Sequence, residues 1–293
     1  MGEGEYMKLI AIDMDGTLLN PEQIVSRKNR QAIQEAQSQG IKVVIATGRA
    51  HFDAQTFLEE AGLALPIIGA NGATFHDKEG RRQLSVPMAE HQAYDILAWL
   101  EENEYYYEVF TNRAIFTPHH GRDLLSIELD RLESANPETD RKALERASKR
   151  QFNQSGYAFI SSAADIKKEE VEIYNILAFS FLKEKRDRGW AQFQREEQLT
   201  LVSSGDHNFE LEHLHASKGQ MLKYLADMEG ISLEDTAAIG DSFNDLSMMN
   251  AVGCSAAMGN ARDEIKRQCS ITAPSNADDG VAAVITQILE QNV

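Results

Sequence analysis

The chain has 293 residues, of which 42% are hydrophobic and 26% are charged, a composition typical of a folded protein. Its length suits two domains better than one. Acidic residues outnumber basic residues 46 to 29, and the net charge of -17 argues against a partner that is a nucleic acid or an anionic membrane.

The sequence contains two cysteines and no apolar stretch of membrane-spanning length. Two cysteines are too few for a disulfide framework, so we expect the protein in a reducing compartment, the cytoplasm. Residues 1–6 are acidic and lack the apolar region of a secretion signal, and they are left out of the fold prediction.

The first predicted element is a strand at Leu9–Ile12, followed by the run Asp-Met-Asp-Gly-Thr at 13–17. An unbroken apolar run of this kind is typical of a strand buried in a parallel sheet, whose ligands lie beyond its carboxyl end. If the chain stays extended, Asp13 and Asp15 face one site, where a divalent cation would neutralise them. By itself, Asp-x-Asp-Gly is just as typical of a turn.

The pattern repeats at the next predicted strand, Ile41–Ala46, which follows a helix capped by Ser26 and ends in Thr-Gly-Arg at 47–49. A hydroxyl and backbone N–H groups at a strand end suit a phosphate oxygen, although a capping threonine before an exposed arginine would leave the same residues. The elements predicted next are a helix at Phe52–Glu60, a strand at Pro66–Ala70 and a hairpin before Val86.

The middle of the chain, residues 87–213, reads as paired strands with helices between them, which predicts an α+β unit on its own sheet. The predicted helices are Ala89–Glu102, Arg122–Leu132, Arg141–Gln154 and Glu184–Glu197. The predicted strands are Tyr105–Phe110, Ala114–Thr117, Tyr174–Phe181, Leu199–Ser203 and Phe209–Leu211.

Strand and helix alternate again after residue 213. The predicted elements are a helix from Ser217 to Met228, strands at Thr236–Gly240 and Gly253–Ala256, a helix at Ala261–Arg267 and a last helix ending near Leu289. The simplest arrangement is an α/β fold: a doubly wound, Rossmann-like parallel sheet built from residues 1–86 and 214–293, with 87–213 inserted as a second domain.

Four motifs stand at the ends or starts of these core elements. They are Asp-Met-Asp-Gly-Thr-Leu-Leu at 13–19, Ala-Thr-Gly-Arg at 46–49, Ser-Lys-Gly at 217–219 and Gly-Asp-Ser-Phe-Asn-Asp at 240–245. Together and in this order they resemble the haloacid dehalogenase superfamily of phosphotransferases, and more narrowly its Cof-type phosphatases. Further signs are Ala-Asn-Gly-Ala at 70–73, Ala-Met-Gly-Asn-Ala at 257–261 and Asp-Gly-Val-Ala at 279–282.

The resemblance covers the chain from Met7 to its end, although the inserted part matches more by position than by motif. It implies that residues 87–213 form a large α+β (C2B-type) cap that sets substrate specificity, and it does not name the substrate. One departure is His215-Ala216, where the family often has Gly-Val before Ser-Lys-Gly. That change affects a turn and no catalytic position.

The resemblance also implies roles for the motif residues. Asp13 would be the nucleophile that forms an aspartyl-phosphate, and Asp15 the general acid and base. Mg²⁺ would be held by Asp13, the main-chain carbonyl of Asp15 and Asp241. Asp245 would support these ligands without binding the ion directly. The phosphate would be cradled by the Met14 amide, Thr47, the Gly48 amide, Lys218 and Asn244.

Lys218 has an alternative interpretation as an exposed lysine in the first turn of a helix. Lysine is unfavourable near a helix N-terminus, so an anionic partner makes its position more intelligible.

The sequence therefore predicts a Mg²⁺-dependent phosphatase of small phosphorylated metabolites such as sugar phosphates, working as a monomer or homodimer without nucleic acid or membrane. One alternative is a phosphomutase, which would use the same aspartyl-phosphate. Another is a phospho-receiver-like regulator, which also combines carboxylates, Mg²⁺, threonine and lysine. The regulator places its acceptor aspartate on a later strand of a single compact domain, and this chain fits that pattern badly.

Overall fold

The computed structural model describes residues 6–136, 138, 140–145 and 154–291. The chain divides into two compact units, one comprising Met1–Ser85 with His215–Val293 and the other comprising Val86–Leu214. The boundaries of this second unit differ by one residue at each end from those of the predicted insertion.

The first unit is built on one sheet, with strands numbered here along the whole chain. They are β1 (Leu9–Ile12), β2 (Lys42–Ala46), β3 (Ile67–Gly69), β4 (Thr74–His76), β5 (Arg82–Ser85), β12 (Thr236–Gly240), β13 (Cys254–Ala257) and β14 (Ile271–Thr272). Their order is β14-β13-β12-β1-β2-β3-β4-β5. Pairing is parallel from β14 to β3, and β4 and β5 add an antiparallel edge. The prediction of an α/β fold with a parallel sheet is confirmed.

Strand β1 lies in the middle of this sheet, between β12 and β2. All four of its residues are buried, as its unbroken apolar run predicted, because helices cover both faces of a parallel sheet. Strand β14 was not predicted, since two residues at an edge are too few to show a pattern.

The helices of this unit are Arg27–Ser38, His51–Glu60, Lys218–Glu229, Leu246–Met249, Asp263–Lys266 and Gly280–Gln291. The predicted cap Ser26 accepts the Asn29 N–H at 3.1 Å, and Ser217 accepts the Gln220 N–H at 3.1 Å in the same way. In the described part of the chain, no helix is both long and apolar enough to cross a membrane.

The second unit has its own sheet, with the strands β6 (Tyr106–Thr111), β7 (Ile115–Pro118), β8 (Tyr157–Ile160), β9 (Ile173–Phe179), β10 (Leu199–Val202) and β11 (Asn208–His213). Their order is β10-β11-β9-β6-β7-β8. Four of the helices in this unit are Glu90–Glu102, Gly121–Ala135, Ala163–Lys167 and Lys183–Phe193. This is the predicted α+β arrangement.

Two elements of the second unit were not predicted: β8 and the five-residue helix Ala163–Lys167. Strand β8 is an edge strand in which only Ile160 is fully buried. Its sequence, Tyr-Ala-Phe-Ile before Ser161, is an apolar run, so a strand could have been predicted here. Of the helix predicted at 141–154, residues 141–145 are helical, and residues 146–153 lie outside the described part.

A stacked pair of histidines joins the helix His51–Glu60 to β4. The ring centroids of His51 and His76 lie 3.7 Å apart, and the ring planes differ by 19°. Burial lowers the pKa of His76 to about 3, helped by His51 and Arg82 and opposed by Asp77. Burial also lowers the pKa of His51. The fold therefore favours the neutral form of both imidazoles.

We expect this pair to weaken the folded state as the pH falls. The pKa of His76 is lower in the folded than in the unfolded chain, so unfolding takes up protons once the pH drops below about 6.5. His76→Phe can still stack on His51 but cannot titrate there, and its stability should depend less on pH. Urea midpoints of both proteins at about pH 7.5 and about pH 5 test this. Equal losses in wild type and variant would contradict it.

Candidate active site

Three neighbouring strands of the core sheet end in polar residues at the same edge. Asp13 follows β1, Thr47 follows β2 and Asp241 follows β12. Because β12, β1 and β2 are parallel neighbours, their carboxyl ends meet at this edge. Asp13 is 5% exposed and Thr47 is 1% exposed, so the polar groups are largely removed from water.

The chain does not stay extended beyond Asp13. Residues Met14–Leu18 form a turn in which the Leu18 N–H donates to the Asp13 carbonyl at 3.2 Å. The backbones of Asp15 and Gly16 are not helical, and Gly16 has a φ of 76°. A side chain at Gly16 would be strained by this left-handed backbone, and its Cβ would lie 2.4 Å from Asp241 Oδ2. Glycine therefore allows the loop after β1 to pass directly over the carboxylate that follows β12.

Lys218 lies at the centre of the site, and its interpretation as an exposed lysine is wrong. It is 1% exposed, and its Nζ atom lies 2.7 Å from Asp13 Oδ1 and 2.6 Å from Asp245 Oδ1. Burial lowers the pKa of Lys218, but the two carboxylates more than offset this, so the ammonium stays charged.

Three carboxylates surround this ammonium group. One oxygen from each of Asp13, Asp241 and Asp245 can be chosen so that all three lie within 4.8 Å of one another. Burial, and then repulsion from Asp245, raises the pKa of Asp13 to about 7 against the opposing effect of Lys218. Burial and the two neighbouring carboxylates also raise the pKa of Asp241 well above its ordinary value.

The donors and charges of this cluster fit a hard divalent cation. All three acidic side chains offer oxygen ligands, which Mg²⁺ prefers. When all three carboxylates are ionised, they and the one ammonium leave two negative charges in excess, the charge that one divalent cation would neutralise. Both oxygens of Asp245 are occupied, by Lys218 and by the Asp241 and Ser242 amides at 2.9 Å each. The contacts to the two oxygens of Asp241, from Thr17 Oγ1 and Asn260 Nδ2, are longer, at 3.3 Å each. Lys218 contacts Asp13 through Oδ1. Asp13 and Asp241 are thus better placed than Asp245 to bind a cation directly.

Asp15 points to a different partner, Arg49, which the sequence did not single out as a site residue. The Nε and Nη2 atoms of Arg49 lie 2.6 and 2.7 Å from the two oxygens of Asp15. Its Nη1 atom lies 2.6 Å from Asp53 Oδ2, and the guanidinium stacks over Phe57 at 4.5 Å. Arg49 is 6% exposed, so its interpretation as an exposed residue is also wrong. The acidic residue four positions later, Asp53, was the available signal.

Asn244 and Asn260 are two further polar side chains at the site. Asn244 Nδ2 donates to Asn71 Oδ1 at 3.0 Å. Asn260 Nδ2 donates to the Gly16 carbonyl at 2.8 Å and lies 3.3 Å from Asp241 Oδ2. The motif that contains Asn260 was noted in the sequence, but its contacts with the loop after β1 were not predicted.

The chain belongs to the haloacid dehalogenase-like hydrolases, whose family pattern matches residues 10–285. The predicted membership of this superfamily and of its Cof-type subfamily is confirmed, and the protein is a phosphatase.

Two of its relatives are bacterial phosphatases that match over nearly their whole length. Phosphatase YwpJ of Bacillus subtilis (strain 168) is 51% identical over 97% of this chain and 100% of its own. The 5-amino-6-(5-phospho-D-ribitylamino)uracil phosphatase YwtE of the same organism is 40% identical over 97% of this chain and 98% of its own. A solved haloacid dehalogenase-like hydrolase from B. subtilis superposes with a TM-score of 0.85 at 51% identity, over 96% of this chain and 99% of that one.

Proposed function

We propose that this phosphatase hydrolyses small phosphomonoesters through an aspartyl-phosphate on Asp13 and depends on Mg²⁺. The observation that carries the proposal is the buried cluster in which Lys218 joins Asp13 and Asp245, with Asp241 beside them. A buried carboxylate beside a cationic group and a cation site can approach an anionic phosphate without prohibitive repulsion.

In the first step, an oxygen of Asp13 attacks phosphorus and the bond to the leaving oxygen breaks. To act as the acid, Asp15 must leave Arg49, which holds both of its oxygens, and take up a proton. It then gives that proton to the leaving oxygen, so the alcohol departs neutral. In the second step, Asp15 takes a proton from water, the water oxygen attacks phosphorus, and the bond to Asp13 breaks. Inorganic phosphate is released and both aspartates return to their starting states.

The remaining predicted residues would hold the phosphate. Lys218 supplies positive charge, and the amides of Met14 and Gly48 supply N–H donors. The Thr47 hydroxyl accepts the Arg49 N–H at 3.1 Å, which leaves its own proton for a phosphate oxygen. Asn244 would donate from its amide nitrogen.

Mg²⁺ would be bound by Asp13, Asp241 and the main-chain carbonyl of Asp15, with Asp245 holding the Asp241 backbone in place. When bound, it would neutralise charge on the transferred phosphoryl group.

We place the enzyme in the cytoplasm, with a small phosphorylated metabolite as its substrate and residues 87–213 as the source of specificity. Sugar phosphates are the first class of substrate that we propose. The name of the 40% identical relative YwtE adds a phosphorylated alditol, 5-amino-6-(5-phospho-D-ribitylamino)uracil. Many sugar phosphates, like this compound, carry the phosphate on a primary hydroxyl of a polyhydroxylated chain.

The test is release of inorganic phosphate from a panel of sugar, alditol, nucleotide and cofactor phosphates, with Mg²⁺ and with EDTA. We expect selective release from a few compounds with Mg²⁺ and a loss of at least about a hundredfold with EDTA. Equal release with EDTA would overturn the metal dependence. An isomeric phosphate in place of inorganic phosphate would identify a mutase.

A further inference from the structure

The short turn Ala70–Gly72 has no role in the chemistry described above, although it belongs to a motif noted in the sequence. Its three residues all have left-handed backbones, with φ of 46° at Ala70, 52° at Asn71 and 101° at Gly72. Residues other than glycine and asparagine rarely adopt this conformation, and consecutive ones persist only where the surrounding structure holds them.

The backbone of this turn contacts two of the segments assigned to the phosphate. The Asn71 N–H donates to the Thr47 carbonyl at 3.0 Å, at the end of β2. A Cβ at Gly72 would lie 2.2 Å from the Ser217 carbonyl oxygen and 2.8 Å from the Lys218 nitrogen. Only glycine allows the turn to lie this close to the start of the Lys218 helix.

The side chain of Asn71 reaches a third segment. It is 2% exposed, and its Oδ1 atom accepts the Asn244 Nδ2 group at 3.0 Å. The opposite end of the Asn244 amide, Oδ1, is buried and has no hydrogen-bond partner within the described residues. Within the described residues, the hydrogen bond from Asn244 Nδ2 to Asn71 Oδ1 is therefore the side-chain contact that sets the orientation of this amide.

This orientation matters because the two ends of an amide have opposite chemistry. The NH₂ end carries two donors and can serve a phosphate oxygen, while the carbonyl end would repel it. With one N–H held by Asn71, the other N–H of Asn244 stays available to an anion. Asparagine suits position 71 because it tolerates a left-handed backbone and supplies an acceptor oxygen.

We propose that Asn71 is a positioning residue of the phosphate site, which acts by fixing the amide of Asn244 with its nitrogen toward the substrate. The proposal rests on the function proposed above, in which Asn244 contacts the phosphate. Asn71 itself touches neither substrate nor metal in this scheme.

A double-mutant cycle tests the proposal, with the inhibition constant of inorganic phosphate as the readout and Mg²⁺ held constant. Asn71→Gly removes the side chain and keeps the left-handed backbone. We expect it to weaken phosphate binding about five- to tenfold, and Asn244→Ala to weaken it by at least about tenfold, as for loss of a hydrogen bond to a charged group. The double variant should bind phosphate no more weakly than Asn244→Ala alone.

Ala70→Gly is the matched control, since it makes the same kind of change in the same turn without removing an amide. Its inhibition constant should stay within about twofold of wild type. The proposal would be overturned if the losses caused by Asn71→Gly and Asn244→Ala multiply in the double variant. It would also be overturned if Asn71→Gly changes the inhibition constant no more than Ala70→Gly does. Wild type that neither releases nor binds phosphate would instead refute the proposed function.

Asn71→Asp keeps the experiment decisive if the glycine variant does not fold. It retains an acceptor oxygen for Asn244 and a residue type that tolerates the left-handed backbone. Its added charge weakens phosphate binding in general, so the informative quantity is the further loss caused by Asn244→Ala. We expect that loss to equal the one seen in wild type. Its disappearance in the aspartate background would refute the role of the acceptor oxygen.

Discussion

Replacement of Asp13 by asparagine is expected to lower kcat by a factor on the order of 10⁴ or more, because an amide cannot act as the nucleophile. The variant has nearly the same shape, and the Lys218 ammonium keeps its contact with Asp245. It also removes one negative charge from a cluster that holds three carboxylates against one ammonium. The loss of activity should therefore occur in a folded protein.

The measurement is phosphate release by Asp13→Asn on the best substrate of the panel, with urea unfolding of the same preparation in EDTA. We expect a free energy of unfolding within about 1 kcal/mol of wild type. Asp227→Asn is a suitable control, because this carboxylate pairs at the surface, where it is 65% exposed, and should leave kcat unchanged. A folded Asp13→Asn protein with turnover within tenfold of wild type would exclude the aspartyl-phosphate mechanism.

Lys218→Met is expected to give the largest change in stability. The substitution deletes the ammonium that contacts both Asp13 and Asp245, and it leaves both carboxylates buried. Breaking a buried ion pair by removal of one partner costs about 3–5 kcal/mol. Activity should fall as well, since the phosphate loses its cationic partner.

The matched control lies on the same helix. Lys223 pairs with Asp227 at 2.8 Å, but both side chains are at least 60% exposed, so Lys223→Met should cost less than about 1 kcal/mol. Urea unfolding in EDTA measures both variants without interference from a bound cation.

A second substitution shows whether charge imbalance causes the loss in Lys218→Met. Addition of Asp245→Asn removes one of the two carboxylates that Lys218 contacts in the wild type and should restore part of the stability. If Lys218→Met is no more destabilising than Lys223→Met, or the second substitution makes it worse, the buried ion cluster does not stabilise the fold in the way described.

Much of the core could be predicted because the decisive signals are local. An unbroken apolar run followed by polar residues marks both β1 and β12, and Ser26 and Ser217 mark two helix starts. Strand β14 was missed because its two residues are too few to form such a run.

The site residues illustrate the same limit. The motifs that contain Asp13, Lys218 and Asp245 could be recognised. The contact of one buried ammonium with both carboxylates could not be predicted, because they lie 205 and 27 positions from Lys218 along the chain. The bidentate ion pair of Arg49 with Asp15 and the hydrogen bond between Asn71 and Asn244 span 34 and 173 positions. A local pattern carries no information about which distant residue will be the partner.

The sequence by itself determined the family, the α/β core with its insertion and the residue types gathered at the ends of the core strands. These features depend on hydrophobic periodicity and on motifs only a few residues long. The tertiary structure decided that Lys218 and Arg49 are buried and paired, and that Asn71 holds the amide of Asn244. Such contacts depend on the strand order, which makes β12, β1 and β2 neighbours and brings distant segments to one edge of the sheet.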